Sequence, residues 1–242
     1  MSLDQVKEEQ EPEEEYGPPV PQEFPLYTSI LMACIVLVTI AQFVFGLEQS
    51  IQAAGFVKPV FINKHEYWRI FTGAALHGGL LHVVMNSYAL FSFGGLMEVL
   101  ANRAHLAIVF LLAAFGGGLF SLVFMPDGNS VGASGGIVGL IGYLVIYAFK
   151  RRDFISPEFR RSLIYNIGFI FLYGIVLYQV IDNFGHLGGL VTGAVYGLLQ
   201  IPSDPHTDPG EASPVTRIFG YAALLIFIAT SILSIMLIAN FG

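Results

Sequence analysis

The sequence predicts an all-α membrane protein of seven spans. Three observations carry that expectation: composition, the recurrence of charge-free runs, and the placement of basic residues. Of 242 residues, 55 % are hydrophobic and only 12 % are charged, where a soluble domain carries about a quarter of its residues as charges. A chain this apolar and this short cannot bury its own side chains, so the bilayer is its natural solvent.

A helix crossing the hydrocarbon core needs about 20 apolar residues. Runs long enough recur near 26–47, 71–97, 106–125, 131–149, 163–181, 183–201 and 218–240. The fifth and sixth, separated only by Asp182, predict a tight helical hairpin, and residues 202–217 a cytoplasmic linker.

Lys and Arg set the orientation, because they concentrate in cytoplasmic loops. With the N-terminus inside, cytoplasmic segments hold Lys7, Arg103, Lys150, Arg151, Arg152, Arg160, Arg161 and Arg217, against Lys58, Lys64 and Arg69 outside. The C-terminus is then outside. Eight of the eighteen acids but only one of the eleven bases lie in residues 1–25, so the net charge of −7 belongs to that tail. Its acids and prolines read as disordered. It has neither the basic n-region and short apolar core of a signal peptide nor the Arg-rich character of a transit peptide. These features and the compact loops favour a bacterial cytoplasmic membrane. Cys34 is the only cysteine, so no internal disulfide can form.

The outer loop 48–70 contains Phe56, Val57, Val60, Phe61, Ile62, Tyr67 and Trp68. Such a loop is expected to lie partly in the membrane interface, where Trp and Tyr are favoured.

Polar groups inside spans are costly and mark function. The second span carries His77, His82 and Asn86, the fourth opens with Gly132-Ala133-Ser134-Gly135-Gly136, and the sixth with Gly185-His186-Leu187-Gly188-Gly189. These three spans run in the same direction, so their first turns share one depth. His82 and Asn86, four apart, share a helix face. Gly135 and Gly139 in the fourth span, with Gly189, Gly193 and Gly197 in the sixth, let two helix backbones approach closely. Packing of those faces brings Ser134 and His186 together.

A serine becomes a nucleophile when a base accepts its proton, and a neutral buried imidazole can do so. The helix start at Ser134 offers unpaired N–H groups to a developing oxyanion, and His82 and Asn86 can add side-chain donors. Each residue also has a plainer reading: serines and glycines pack helices, buried histidines bond between them, and Asp182 caps a helix. Gly132-Ala-Ser134-Gly-Gly136 fits the nucleophile elbow of α/β-hydrolases, but here it opens an apolar helix rather than following a strand. No His-Glu-x-x-His string suggests zinc. Nothing in the chain asks for a metal, a cofactor or nucleic acid. A small transporter is a further possibility, without an evident inverted repeat to support it.

From Trp68 to Gly193 the ordered set resembles the rhomboid family of intramembrane serine proteases. Trp68-Arg69 is similar to its Trp-Arg pair in the first outer loop, and His77, His82 and Asn86 to its second-span pattern. Gly132-Ala133-Ser134-Gly135 is similar to its nucleophile motif, and His186-Leu187-Gly188-Gly189 to the motif that bears its base. The resemblance implies a rhomboid-like six-helix core with a family-variable seventh span. It implies a dyad of Ser134 as nucleophile and His186 as general base, with no required acid. It further implies an oxyanion hole from the Ser134 backbone N–H, His82 and Asn86, and structural support from Trp68, Arg69, Gly132, Gly135, Gly189 and Gly193. The substrates it implies are transmembrane proteins, cut in or beside their helices. An aromatic often found four residues after the nucleophile is replaced by Val138, which implies looser positioning of the base and slower turnover. Relatives that bind membrane clients without cutting them typically lose the serine or histidine; this chain keeps both.

Overall fold

The computed structural model describes residues 24–178, 180–204 and 206–241. The expected disordered tail therefore lies outside the described residues, except for Phe24 and Pro25. Helix α1 (Leu26–Phe45) is followed by a first loop that is far from irregular. It contains α2 (Leu47–Ala54), the two-residue strand β1 (Phe56–Val57), α3 (Lys58–Asn63) and α4 (Arg69–Thr72), then a 3-10 turn at Gly73–Ala75. Helices α5 (Leu80–Leu100) and α6 (Arg103–Phe124) follow, then strand β2 (Asn129–Ser130), α7 (Ser134–Lys150), α8 (Pro157–Val176), α9 (Asn183–Gln200) and α10 (Pro214–Ala239).

Seven long helices thus occupy the seven expected runs, and α1, α5, α6 and α10 are long and apolar enough to cross a membrane by themselves. Phe43, Val44, Leu81, Tyr88, Val123, Ile175, Phe219 and Leu225 are each more than half exposed. An apolar surface of this extent requires lipid. The chain is an all-α membrane protein.

Helices α6, α7 and α9 form the centre, with the closest packing between α7 and α9. The glycine seam explains it. A Cβ on Gly189 would run into the Gly135 carbonyl, and one on Gly193 into the Gly139 carbonyl. Backbone meets backbone there. Helix α7 has 17 residues, a length of about 26 Å. That is less than the ~30 Å hydrocarbon thickness.

Three boundaries differ from expectation. The run 71–97 is not one helix, because Leu76 is extended and Gly79 (φ +148°) breaks the chain before α5. Helix α8 begins at Pro157, six residues before the apolar run, because Ser156 caps it and accepts from Phe159 N–H at 3.2 Å. It ends at Val176, leaving 177–182 as a six-residue connection where a single boundary residue was expected.

The first loop is pinned by a buried cation. Arg69 is 4 % exposed; its Nε donates to Glu66 at 2.6 Å and its Nη1 to the Gly55 carbonyl at 2.8 Å. Thr72 Oγ1 donates to the Ala54 carbonyl at 2.7 Å, and β1 pairs antiparallel with β2, Phe56 opposite Ser130. Arg69→Ala should therefore cost about 1.5–3 kcal/mol, read as a lower thermal midpoint in detergent; an unchanged midpoint would contradict this role.

At the opposite end of the bundle, the segment joining α9 to α10 is stitched down. Arg151 donates to the Pro202 and Thr207 carbonyls at 3.1 and 2.8 Å, Gln200 to Pro209 at 2.9 Å and Asn102 to Gly210 at 2.7 Å. Helix α10 then lies against α6 and α1, with Phe227 edge-on to Phe110 at 5.1 Å between ring centroids.

Candidate active site

The first turns of α5, α7 and α9 converge. A cavity of about 50 Å³ lies between α7, α9, α6 and the end of the first loop; its walls include Ser134, Gly132, Gly135, Ser130, Asp182 and His186 and no residue of α5. Ser134 is the first residue of α7. Ile137 N–H closes the first turn on the Ala133 carbonyl at 3.0 Å and no side chain caps the helix. The N–H groups of Ser134, Gly135 and Gly136 are thus left without an intrahelical acceptor. His186 lies one turn into α9, and its N–H donates to the Asp182 carbonyl at 3.0 Å. The ring is 8 % exposed and its Nδ1 has no hydrogen-bond partner among the described residues.

Gly132 has to be glycine on two counts. Its φ is +127°, and a Cβ there would lie 2.9 Å from Cε1 and Nε2 of His82. The His82 ring therefore rests on the backbone just before Ser134. Its Nδ1 accepts from Gly78 N–H at 3.2 Å, which in the neutral ring puts the proton on Nε2. A donor consequently stands beside the Gly132–Ser134 turn.

Asn86 is buried one turn further along α5, and its Nδ2 donates to the His82 carbonyl at 2.9 Å. One amide hydrogen is used within the helix and the second remains. His77 is not on α5, as the apolar run suggested. It sits before the helix, its backbone clasped by Gln42 (N–H to Oε1 at 2.9 Å, carbonyl from Nε2 at 3.0 Å). Its ring is edge-on to His82 at 5.0 Å, and neither ring nitrogen has a partner among the described residues. Trp68 is 40 % exposed at the start of α4, beside the buried Arg69 and away from the cavity walls. Val138 is buried in α7.

Two groups around Asp182 escaped the sequence reading. Ser130 on β2 and Ser121 on α6 both donate their hydroxyls to Asp182 Oδ2, the former at 2.6 Å. A serine on a strand and one on a neighbouring helix carry no spacing that links them. Among the described residues no three His, Cys, Asp or Glu side chains are grouped to hold a metal ion.

The Rhomboid domain family matches residues 64–203, more than half of the chain and all of α5 to α9. The chain belongs to the rhomboid family. Similar relatives include RHOMBOID-like protein 1 of Arabidopsis thaliana, 34 % identical over 57 % of this chain and 36 % of that protein. Rhomboid protease GluP of Bacillus subtilis is 34 % identical over 60 % of this chain and 28 % of its own length. Inactive RHOMBOID-like protein 8 of Arabidopsis thaliana is 30 % identical over 54 % and 37 %. In each case the match spans less than half of the relative. The rhomboid family thus includes both proteases and members named inactive.

Proposed function

We propose that this rhomboid is an intramembrane serine endopeptidase in which Ser134 attacks and His186 is the general base. One observation carries the reading: Ser134 and His186 stand on adjacent helices, α7 and α9, and line the same small cavity. In the proposed reaction Ser134 Oγ adds to a substrate carbonyl while His186 takes its proton. The imidazolium then protonates the departing amine, and water, activated by the same ring, hydrolyses the acyl-enzyme. Negative charge on the carbonyl oxygen meets the Ser134 N–H, the Nε2–H of His82 and the second amide hydrogen of Asn86. Among the described residues His186 Nδ1 has no hydrogen-bond partner, and the proposed dyad requires no acid there.

The substrate is a transmembrane protein. A helix hides its carbonyls, so the cut must fall where a substrate helix unwinds, and about 50 Å³ of space suits a small side chain beside the scissile bond. Helix α8 is the natural entry side: within it only Leu163 and Gly174 are buried. The basic-residue balance puts the N-terminus in the cytoplasm and the site near the opposite surface. Compact loops favour a bacterial cytoplasmic membrane; the family, with members in Arabidopsis thaliana and Bacillus subtilis, is not confined to one.

Labelling with a fluorophosphonate probe tests the reading without a known substrate. Wild type should be modified and Ser134→Ala should not. An inert wild type would favour the second reading, a client-binding relative, which the 30 % identity to Inactive RHOMBOID-like protein 8 makes specific. Asn86→Ala should lower kcat by roughly 10- to 100-fold with little change in KM, measured on a single-span substrate; unchanged kcat would remove Asn86 from the oxyanion hole.

A further inference from the structure

Asp182 is the one carboxylate among the described residues that line the cavity. Its Oδ1 accepts from Gly185 N–H at 2.8 Å, capping α9, while its own carbonyl accepts from His186 N–H at 3.0 Å. Side chain and backbone together therefore define the turn on which His186 stands. Oδ2 faces the other way and accepts from Ser121 on α6 and Ser130 on β2, whose hydroxyls are 3.2 Å apart. Strand β2 is held by β1 of the first loop. Three elements meet on one carboxylate.

A positive charge stands nearby. Lys58, the residue after β1, is fully buried, and its Nζ has no hydrogen-bond partner among the described residues. Its Nζ lies over the Phe56 ring, 5.8 Å from the centroid. Burial pushes the Lys58 ammonium down from its ordinary pKa and the Asp182 carboxylate pulls it back up. The first loop thus contributes a counter-charge to the same acid and, through β1, holds the strand that carries one of its hydroxyl donors.

We propose that Asp182 is a positioning residue for the His186 base: it locks the first turn of α9 to α6 and to the β1–β2 pair, setting where the imidazole stands relative to Ser134 across the shared cavity. This rests on the serine-protease reading for its catalytic half. Asp182 acts through the helix turn, not as a third member of a triad, because no bond joins it to the ring. A displacement of about 1 Å at a reacting group can cost 10²-fold, which the capping turn and its two hydroxyl anchors together prevent.

The test compares wild type with Asp182→Ala, Asp182→Asn and Ser130→Ala in detergent. Readouts are kcat and KM on a single-span substrate, the rate of fluorophosphonate labelling, and amide exchange across residues 183–190. Asp182→Ala should lower kcat and labelling by roughly 10- to 100-fold, leave KM within about twofold, and speed exchange. Asp182→Asn, which keeps a capping oxygen, should recover part of each; Ser130→Ala, which spares the cap, should lower kcat by a smaller factor and keep the fold. Wild-type kcat in Asp182→Ala, or in Ser130→Ala should the former not fold, overturns the proposal, as does an effect confined to KM. If wild type takes no label, the protease reading fails, and unchanged exchange in Asp182→Ala would then separately refute the anchoring.

Discussion

Replacing Ser134 with alanine should abolish cleavage of a model single-span substrate while leaving the folded protein unchanged. The side chain is only partly buried and lines a cavity, so losing one oxygen leaves no unfilled core. A stability change within about 0.5 kcal/mol is expected. Its chemistry has no ready substitute in the cavity: the other hydroxyl there, Ser130, donates to Asp182 at 2.6 Å, and without a nucleophile the remaining groups can only polarise a carbonyl. The fall should be on the order of 10⁴-fold or more. Equal thermal midpoints with lost turnover are the expected pair of results. Persistent turnover in the variant would transfer the reaction to some other group and end the assignment.

Gly193→Val should have the opposite signature, losing fold and labelling together. The new Cβ would collide with the Gly139 carbonyl, and neither backbone can retreat because both belong to continuous helices. Overpacking at flexible side chains costs about 1–3 kcal/mol; here the obstacle is rigid, so a value at or above the top of that range is expected. Prying α7 from α9 also separates Ser134 from His186. Gly168→Ala on α8 is the control, since a Cβ there meets nothing within 4 Å and alanine favours the helix. Comparable expression and melting of Gly193→Val and the control would show that the seam tolerates separation.

Much of this architecture is legible in the chain because the bilayer enforces a single rule: long charge-free runs become helices. The rule fails where backbone geometry, not polarity, decides. Residues 71–79 are as apolar as a span, yet Gly78-Gly79 interrupts them, and Gln42 captures the His77 backbone instead. Ser156-Pro157 starts α8 among charges that an apolar window discards, although a cap followed by proline is a helix start in its own right. The meeting of α7 with α9 follows from glycines at four-residue spacing. The Asp182 anchors do not follow from anything local. Ser121, Ser130 and Lys58 come from three elements, and only the assembled packing sets them around one acid. Likewise Asn86 shares a face with His82 as its spacing requires, but that it bonds back to the His82 carbonyl is a rotamer choice outside the reach of spacing.

The stitched segment before α10 alters what that last helix means for the rest. Gly220 lies so close to Ala104 that a methyl there would overlap it, and Phe110 on the face beneath is wholly covered. Helix α10 is therefore a wall of the bundle rather than a tether hung from it. A six-helix relative must upholster that flank differently, with acyl chains or with bulkier residues where this chain has alanine. Grafting segments between the two kinds would leave either a hole or a clash along that flank.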